Sequence, residues 1–133
     1  MVEAARPNGI PNEQWAIQVQ KDGTWTVEKI KVPRPGYNQV LVKIECAPIN
    51  PSDTYFMAGM YSKLDESEAG EEPKMKFPLA AGWEGAGTVV ENGGGVIGWA
   101  RLGKRVSVTK CQEAGGVFSI GGAYQQYMVT SAL

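Results

Sequence analysis

Glycine and proline punctuate this chain at short intervals, and that punctuation limits what it can fold into. Seventeen glycines and eight prolines fall within 133 residues. They gather at Asp22-Gly23, at Pro33, Pro35 and Gly36, at Gly59, at Asn92-Gly93-Gly94-Gly95, and at Gly115-Gly116 with Gly121-Gly122. Positive φ at glycine and fixed φ at proline end regular structure at such places. The intervals left between them suit short strands better than long amphipathic helices. Residues 15–20 and 24–32, the second rich in Thr, Val and Ile, are expected to pair as a hairpin through the Lys21-Asp22-Gly23 turn. Residues 40–44 alternate Val40, Val42 and Ile44 against Leu41 and Lys43, the pattern of a strand buried largely on one face. Further strands are expected over 85–91, 105–109 and 123–129.

A single helix signature interrupts the strands. Asn50-Pro51-Ser52-Asp53 offers a capping residue followed by proline at the first helical position, and Gly59 supplies a stop, so a helix of about two turns is expected. Many short strands, glycine-rich turns and one or two short helices imply a mainly β fold of the barrel or sandwich type. Gly93, Gly95 and Gly98 satisfy G-x-G-x-x-G after a strand. A dinucleotide fingerprint needs its last glycine to open an amphipathic helix of a βαβ unit. Here Trp99 to Gly103 runs into another glycine and then a strand, so a hairpin turn is the expectation.

Composition narrows the functional classes. A formal net charge of −1 provides no field for polyanions or anionic membranes, so neither nucleic acid nor a membrane is an expected partner. The longest apolar stretches, residues 77–81 and 86–90, fall far short of the ~20 needed to span a bilayer. Residues 1–12 have no apolar core of the kind a secretory signal needs, and the default compartment is the cytoplasm, with mitochondrion or plastid left open. Cys46 and Cys111 lack metal-clip spacing and are expected as reduced thiols packed as small apolar groups. Histidine is absent. The commonest general base and zinc ligand is therefore missing, and acid–base chemistry falls to Tyr, Lys, Asp, Glu or a hydroxyl. Residues 63–76 carry Asp65, Glu66, Glu68, Glu71 and Glu72 and read as a solvated loop.

Two stretches carry a resemblance. Residues 47–61, APINPSDTYFMAGMY, and 77–90, FPLAAGWEGAGTVV, resemble the N-terminal domain of the medium-chain dehydrogenase/reductase superfamily, in particular its zinc-free quinone oxidoreductases and enoyl-thioester reductases. Gly103-Lys104-Arg105-Val106 is similar to the family's GDRV strand entry, and Gly121-Gly122-Ala123-Tyr124-Gln125-Gln126-Tyr127 to its GTWAEY segment. The resemblance implies a GroES-like, partly open β-barrel over 15–133, behind an N-terminal extension over 1–14. The second domain of that family, a Rossmann unit that holds most of the cofactor, has no counterpart in these residues, and the chain is expected to be one half of a longer enzyme, inactive alone.

What the resemblance implies about chemistry follows position by position. Zinc-dependent members carry a cysteine three residues before an aspartate, and a histidine in a Gly-His-Glu-Gly stretch; the matching positions here are Asn50, ahead of Asp53, and Trp83, before Glu84. An amide and an indole do not replace thiolate and imidazole, so no zinc is expected. Tyr61 matches the family's proton-donating tyrosine, and a phenol keeps its proton at neutral pH. Asn50 and Tyr55 match positions near nicotinamide and substrate. Asn50 either caps the helix, donates a free amide hydrogen bond to a substrate oxygen, or does both; Tyr55 either lines the site or fills a gap between helix and barrel. Ser52 is read as a capping hydroxyl.

The expected function is the substrate side of an NADPH-dependent quinone or enone oxidoreductase, with NADPH bound mainly by the missing domain. An enoyl-thioester reductase of fatty-acid synthesis and a stand-alone non-catalytic structural or binding subunit are the alternatives. The expected partners are a small-molecule quinone, enone or enoyl thioester, and a homodimer through the missing domain is left open.

Overall fold

The computed structural model describes residues 6–60, 76–109 and 121–133. Among these residues the fold is mainly β, with two antiparallel sheets that do not close into a barrel and, besides a 3-10 turn at Pro7–Gly9, two short α-helices. β1 (Glu13–Val19) and β2 (Trp25–Lys31) form the expected hairpin, with Val19 opposite Trp25 and Ile17 opposite Val27. Its turn is held by Asp22, whose Oδ1 accepts from the Thr24 amide at 2.9 Å and the Thr24 hydroxyl at 2.6 Å.

β3 (Gln39–Cys46) lies inside the second sheet, whose order is β6–β5–β3–β7: β5 is Glu84–Asn92, β6 Arg105–Thr109 and β7 Tyr127–Ser131. The strand is buried on both faces at its start, not on one. Val40 and Val42 pack with Val89, Val108 and Met128, while Leu41 packs on the opposite side with Ile10, Val32 and Val129. The second core exists because residues 6–10 fold back over β3. Arg6 is buried there, donating to the Val32 and Pro33 carbonyl oxygens at 3.1 Å each and pairing with Glu91 at 2.5 Å.

Three further expectations change. Between β5 and β6 the chain forms a short helix, α2 (Val96–Arg101), where a hairpin turn was expected from Gly93, Gly95 and Gly98. β6 nevertheless runs antiparallel to β5, with Gly87 opposite Val106, so no βαβ unit exists and the glycines are not a dinucleotide fingerprint. The last strand begins at Tyr127, four residues later than expected, because the backbone N–H groups of residues 122–124 and 126 are bonded elsewhere. Cys46 is exposed, not packed: it ends β3 beyond a register irregularity at Ile44. Cys111 lies outside the described residues, as do positions 63–75 of the acidic stretch.

A two-residue strand that the sequence did not announce, β4 (Leu79–Ala80), joins the first sheet beside β1. It brings the Gly82-Trp83-Glu84 stretch against α1 (Pro51–Met57), the expected helix, which is capped by Ala58 ahead of Gly59 at φ +75. Among the described residues no helix is long and apolar enough to cross a membrane.

Candidate functional site

The start of α1, the β4–β5 junction and residues 121–124 meet around one buried carboxylate. Asp53 is the third residue of α1 and 1% exposed. Its Oδ2 accepts from the backbone N–H of Asn50 at 2.8 Å, the capping-box contact, and its Oδ1 accepts from the backbone N–H of Trp83 at 2.9 Å. The capping residue and the residue thirty-three positions later are thus fixed by the same side chain. A buried carboxylate is tolerated when its oxygens are bonded in this way.

Trp83 is held from the other side by the helix, its ring meeting Phe56 edge-on at a centroid distance of 5.4 Å. Phe56 is buried with Val19, Leu79 and Ala81, so the indole is anchored to one of the three apolar cores.

The third wall is Tyr124. Its backbone N–H donates to the Ala81 carbonyl at 2.9 Å, and its hydroxyl donates to the Pro48 carbonyl oxygen at 2.9 Å. Burial, with the negative charge of Asp53 and a hydrogen bond to it adding to the effect, pushes the phenol up to about 12. The approach is possible because Gly82 sits at φ +90, where a Cβ would come within 2.6 Å of the Tyr124 ring. The Gln125 and Gln126 side chains then bond outside the β7 ladder. The Gln125 amide donates to Gly122 O at 2.7 Å, and Gln126 Oε1 accepts from the Trp15 amide at 3.0 Å.

The positions singled out from the sequence are placed unevenly. Asn50 lies at the centre, and its amide is not free as supposed: Nδ2 donates to Glu84 Oε1 at 2.9 Å, leaving one N–H for another acceptor. Ser52 is half-buried in the first turn of α1. Tyr55 is 52% exposed on α1 and so does not fill a gap between helix and sheet. Tyr61 falls outside the described residues. Sequence reasoning passed over Tyr124 and undervalued Glu84. The signal for Glu84 was its place directly after Trp83; for Tyr124 there was only an aromatic following two glycines.

The donor chemistry at this place is that of hydrogen bonding. Asn50 presents a nitrogen donor toward Glu84, both Asp53 oxygens already receive backbone N–H groups, and an indole has no free in-plane lone pair. Among the described residues no three His, Cys, Asp or Glu side chains gather as a metal site. These residues do not fit a tetrahedral zinc.

Comparison with known proteins adds to this geometry. Residues 36–133 match the model of the alcohol dehydrogenase GroES-like domain. Alcohol dehydrogenase 1 of Emericella nidulans is 39% identical over 85 residues, which are 63% of this chain and 21% of that protein. A trans-enoyl reductase of Aspergillus flavipes is 29% identical over 119 residues, 90% of this chain and 32% of the relative. Among solved structures, one from Mesorhizobium loti, assigned as an NADPH:quinone reductase, superposes with a TM-score of 0.68 at 30% identity, covering 92% of this chain and 36% of that one. The chain therefore spans between about a fifth and somewhat over a third of the length of these proteins.

Proposed function

The chain belongs to the alcohol dehydrogenase GroES-like domain family of oxidoreductases, and from that premise we propose that it forms the substrate-facing wall of a nicotinamide-dependent reductase acting on a quinone or enone without zinc. The observation that carries the reading is the pinning of Asn50 and Trp83 by Asp53 at the positions where zinc-dependent relatives are expected to place their metal ligands. A rigid hydrogen-bonding amide stands there instead of a Lewis acid. When bound, a nicotinamide supplies the hydride. Asn50 retains one N–H that can donate to the carbonyl oxygen on which negative charge develops. The Trp83 ring, packed on Phe56, offers apolar surface at the same group, and Tyr55 on α1 is exposed to add to it; such surface excludes water and favours a flat acceptor. Tyr61, by its match to the family's proton donor, delivers the proton that completes the reduction.

A second reading, reduction of an enoyl thioester, is favoured by the likeness to the trans-enoyl reductase and by the PINPSD wording of residues 48–53. Both readings are tested on the protein expressed from its intact coding sequence, by following NADPH oxidation with a benzoquinone and with a crotonyl thioester. Turnover of the quinone that falls on Asn50→Ala and on Tyr61→Phe supports the first. Turnover confined to the thioester moves the assignment to the second. Stoichiometric zinc in the purified protein sinks the metal-free mechanism.

A further inference from the structure

We infer that Glu84 sets the charge class of the compounds this wall admits, favouring neutral or cationic carbonyl compounds and excluding anionic ones. The inference rests on the reading of the wall given above. Glu84 is exposed at the first position of β5, and its Oε1 accepts from Asn50 Nδ2 at 2.9 Å. Its carboxylate thus lies against the same amide that would receive a substrate oxygen. Trp83 and Tyr124, which meet Asp53 beside Asn50, carry no charge at neutral pH, and the further charge at the site among the described residues, that of Asp53, is also negative. No ion pair of Glu84 occurs among the described residues; Arg6 pairs with Glu91, and Arg105 with Glu45.

The consequence is selective. An approaching carbonyl oxygen without formal charge can take the second Asn50 N–H, and a hydroxyl or ammonium group on the same compound can donate to the free lone pairs of Glu84. A carboxylate, sulfonate or phosphate brought to Asn50 instead meets a like charge a few ångströms away. In well-solvated surroundings such a pair at about 4 Å weakens binding by roughly fivefold, and by more where water is displaced. Bulk net charge does not convey this, since the chain as a whole stands at −1. The discrimination comes from where one carboxylate sits.

The test uses two flat probes of like shape, the neutral enone 4-phenyl-3-buten-2-one and the trans-cinnamate anion, at neutral pH. Each is titrated into the 15N-labelled chain, made Cys46→Ser and Cys111→Ser so that neither thiol adds to the enone, while the Asn50 side-chain amide and Trp83 indole resonances are followed. The enone should shift them with an affinity at least about fivefold above that of cinnamate, and Glu84→Gln, which keeps an acceptor for Asn50, should bring the two within about twofold. Equal affinities in the parent protein, or a gap unchanged in Glu84→Gln, overturn the role of Glu84 and leave the wall standing. No shift of either resonance with either probe overturns the wall and this inference together.

Discussion

The carboxylate of Asp53 accepts the backbone N–H of Trp83 at 2.9 Å across thirty positions of sequence while its other oxygen caps α1 through Asn50. Removing it orphans a donor in each of two elements. Asp53→Ala should therefore cost about 3 kcal/mol in urea unfolding, with Asp53→Asn losing less because its amide oxygen still accepts one of the two bonds. A loss under half a kcal/mol for the alanine variant would show that the carboxylate does not tie these elements together.

Gly82 and Tyr124 offer a steric counterpart. A methyl group at Gly82 meets both a left-handed φ and the Tyr124 ring. Gly82→Ala should destabilise by about 2 kcal/mol or more, and Tyr124→Ala introduced alongside should recover part of that loss by vacating the contact. Simple additivity of the two changes would contradict the packing described.

Tyr124 also provides a spectroscopic test. Its phenol is pushed up to about 12 from an ordinary value of 10.0, so the folded protein holds this proton more tightly than the unfolded chain. Its stabilising contribution is then complete below pH 10 and lost as pH rises through about 12. Absorbance titration of tyrosinate should show one late-ionising phenol that disappears in Tyr124→Phe and moves toward 10.0 in Asp53→Asn. An unchanged late phase in Tyr124→Phe assigns it to another residue.

The Arg6–Glu91 pair, with the arginine side chain 2% exposed, holds the segment that covers Leu41. Arg6→Ala should cost about 3 kcal/mol, since it leaves Glu91 and two carbonyl oxygens without their donor. Arg6→Ala and Glu91→Ala together should cost less than the sum of the single changes, as read in a double-mutant cycle by chemical denaturation. Additive losses would mean that the two side chains act separately.

Much of the fold was legible in the residues themselves, because the information was local. Asp22-Gly23 specifies its hairpin, and Asn50-Pro51 with Gly59 brackets α1, by backbone preferences that need no distant partner. The ordered motifs around Asn50, Trp83 and Gly122 were enough to indicate the family. Element ends were less legible where a distant segment competes for a backbone: β7 starts at Tyr127 because the amides of residues 122–124 and 126 bond to β4, its trailing residues and Trp15. Leu41 gave no sign of a second core, because what buries it is Ile10, thirty-one positions earlier.

The same division holds at the site. Local sequence determined that Asn50 caps a helix and that no imidazole exists to serve as base or ligand, and the family resemblance set Trp83 at the position of a histidine. Only the tertiary structure decided that Asn50 spends one N–H on Glu84, that Asp53 joins Asn50 to Trp83, and that Tyr124 closes the group against Gly82. The physical reason is range: capping and turn preferences act over three or four residues, whereas hydrogen bonds and desolvation are set by whichever groups the packed sheets bring within 3 Å, whatever their separation along the chain.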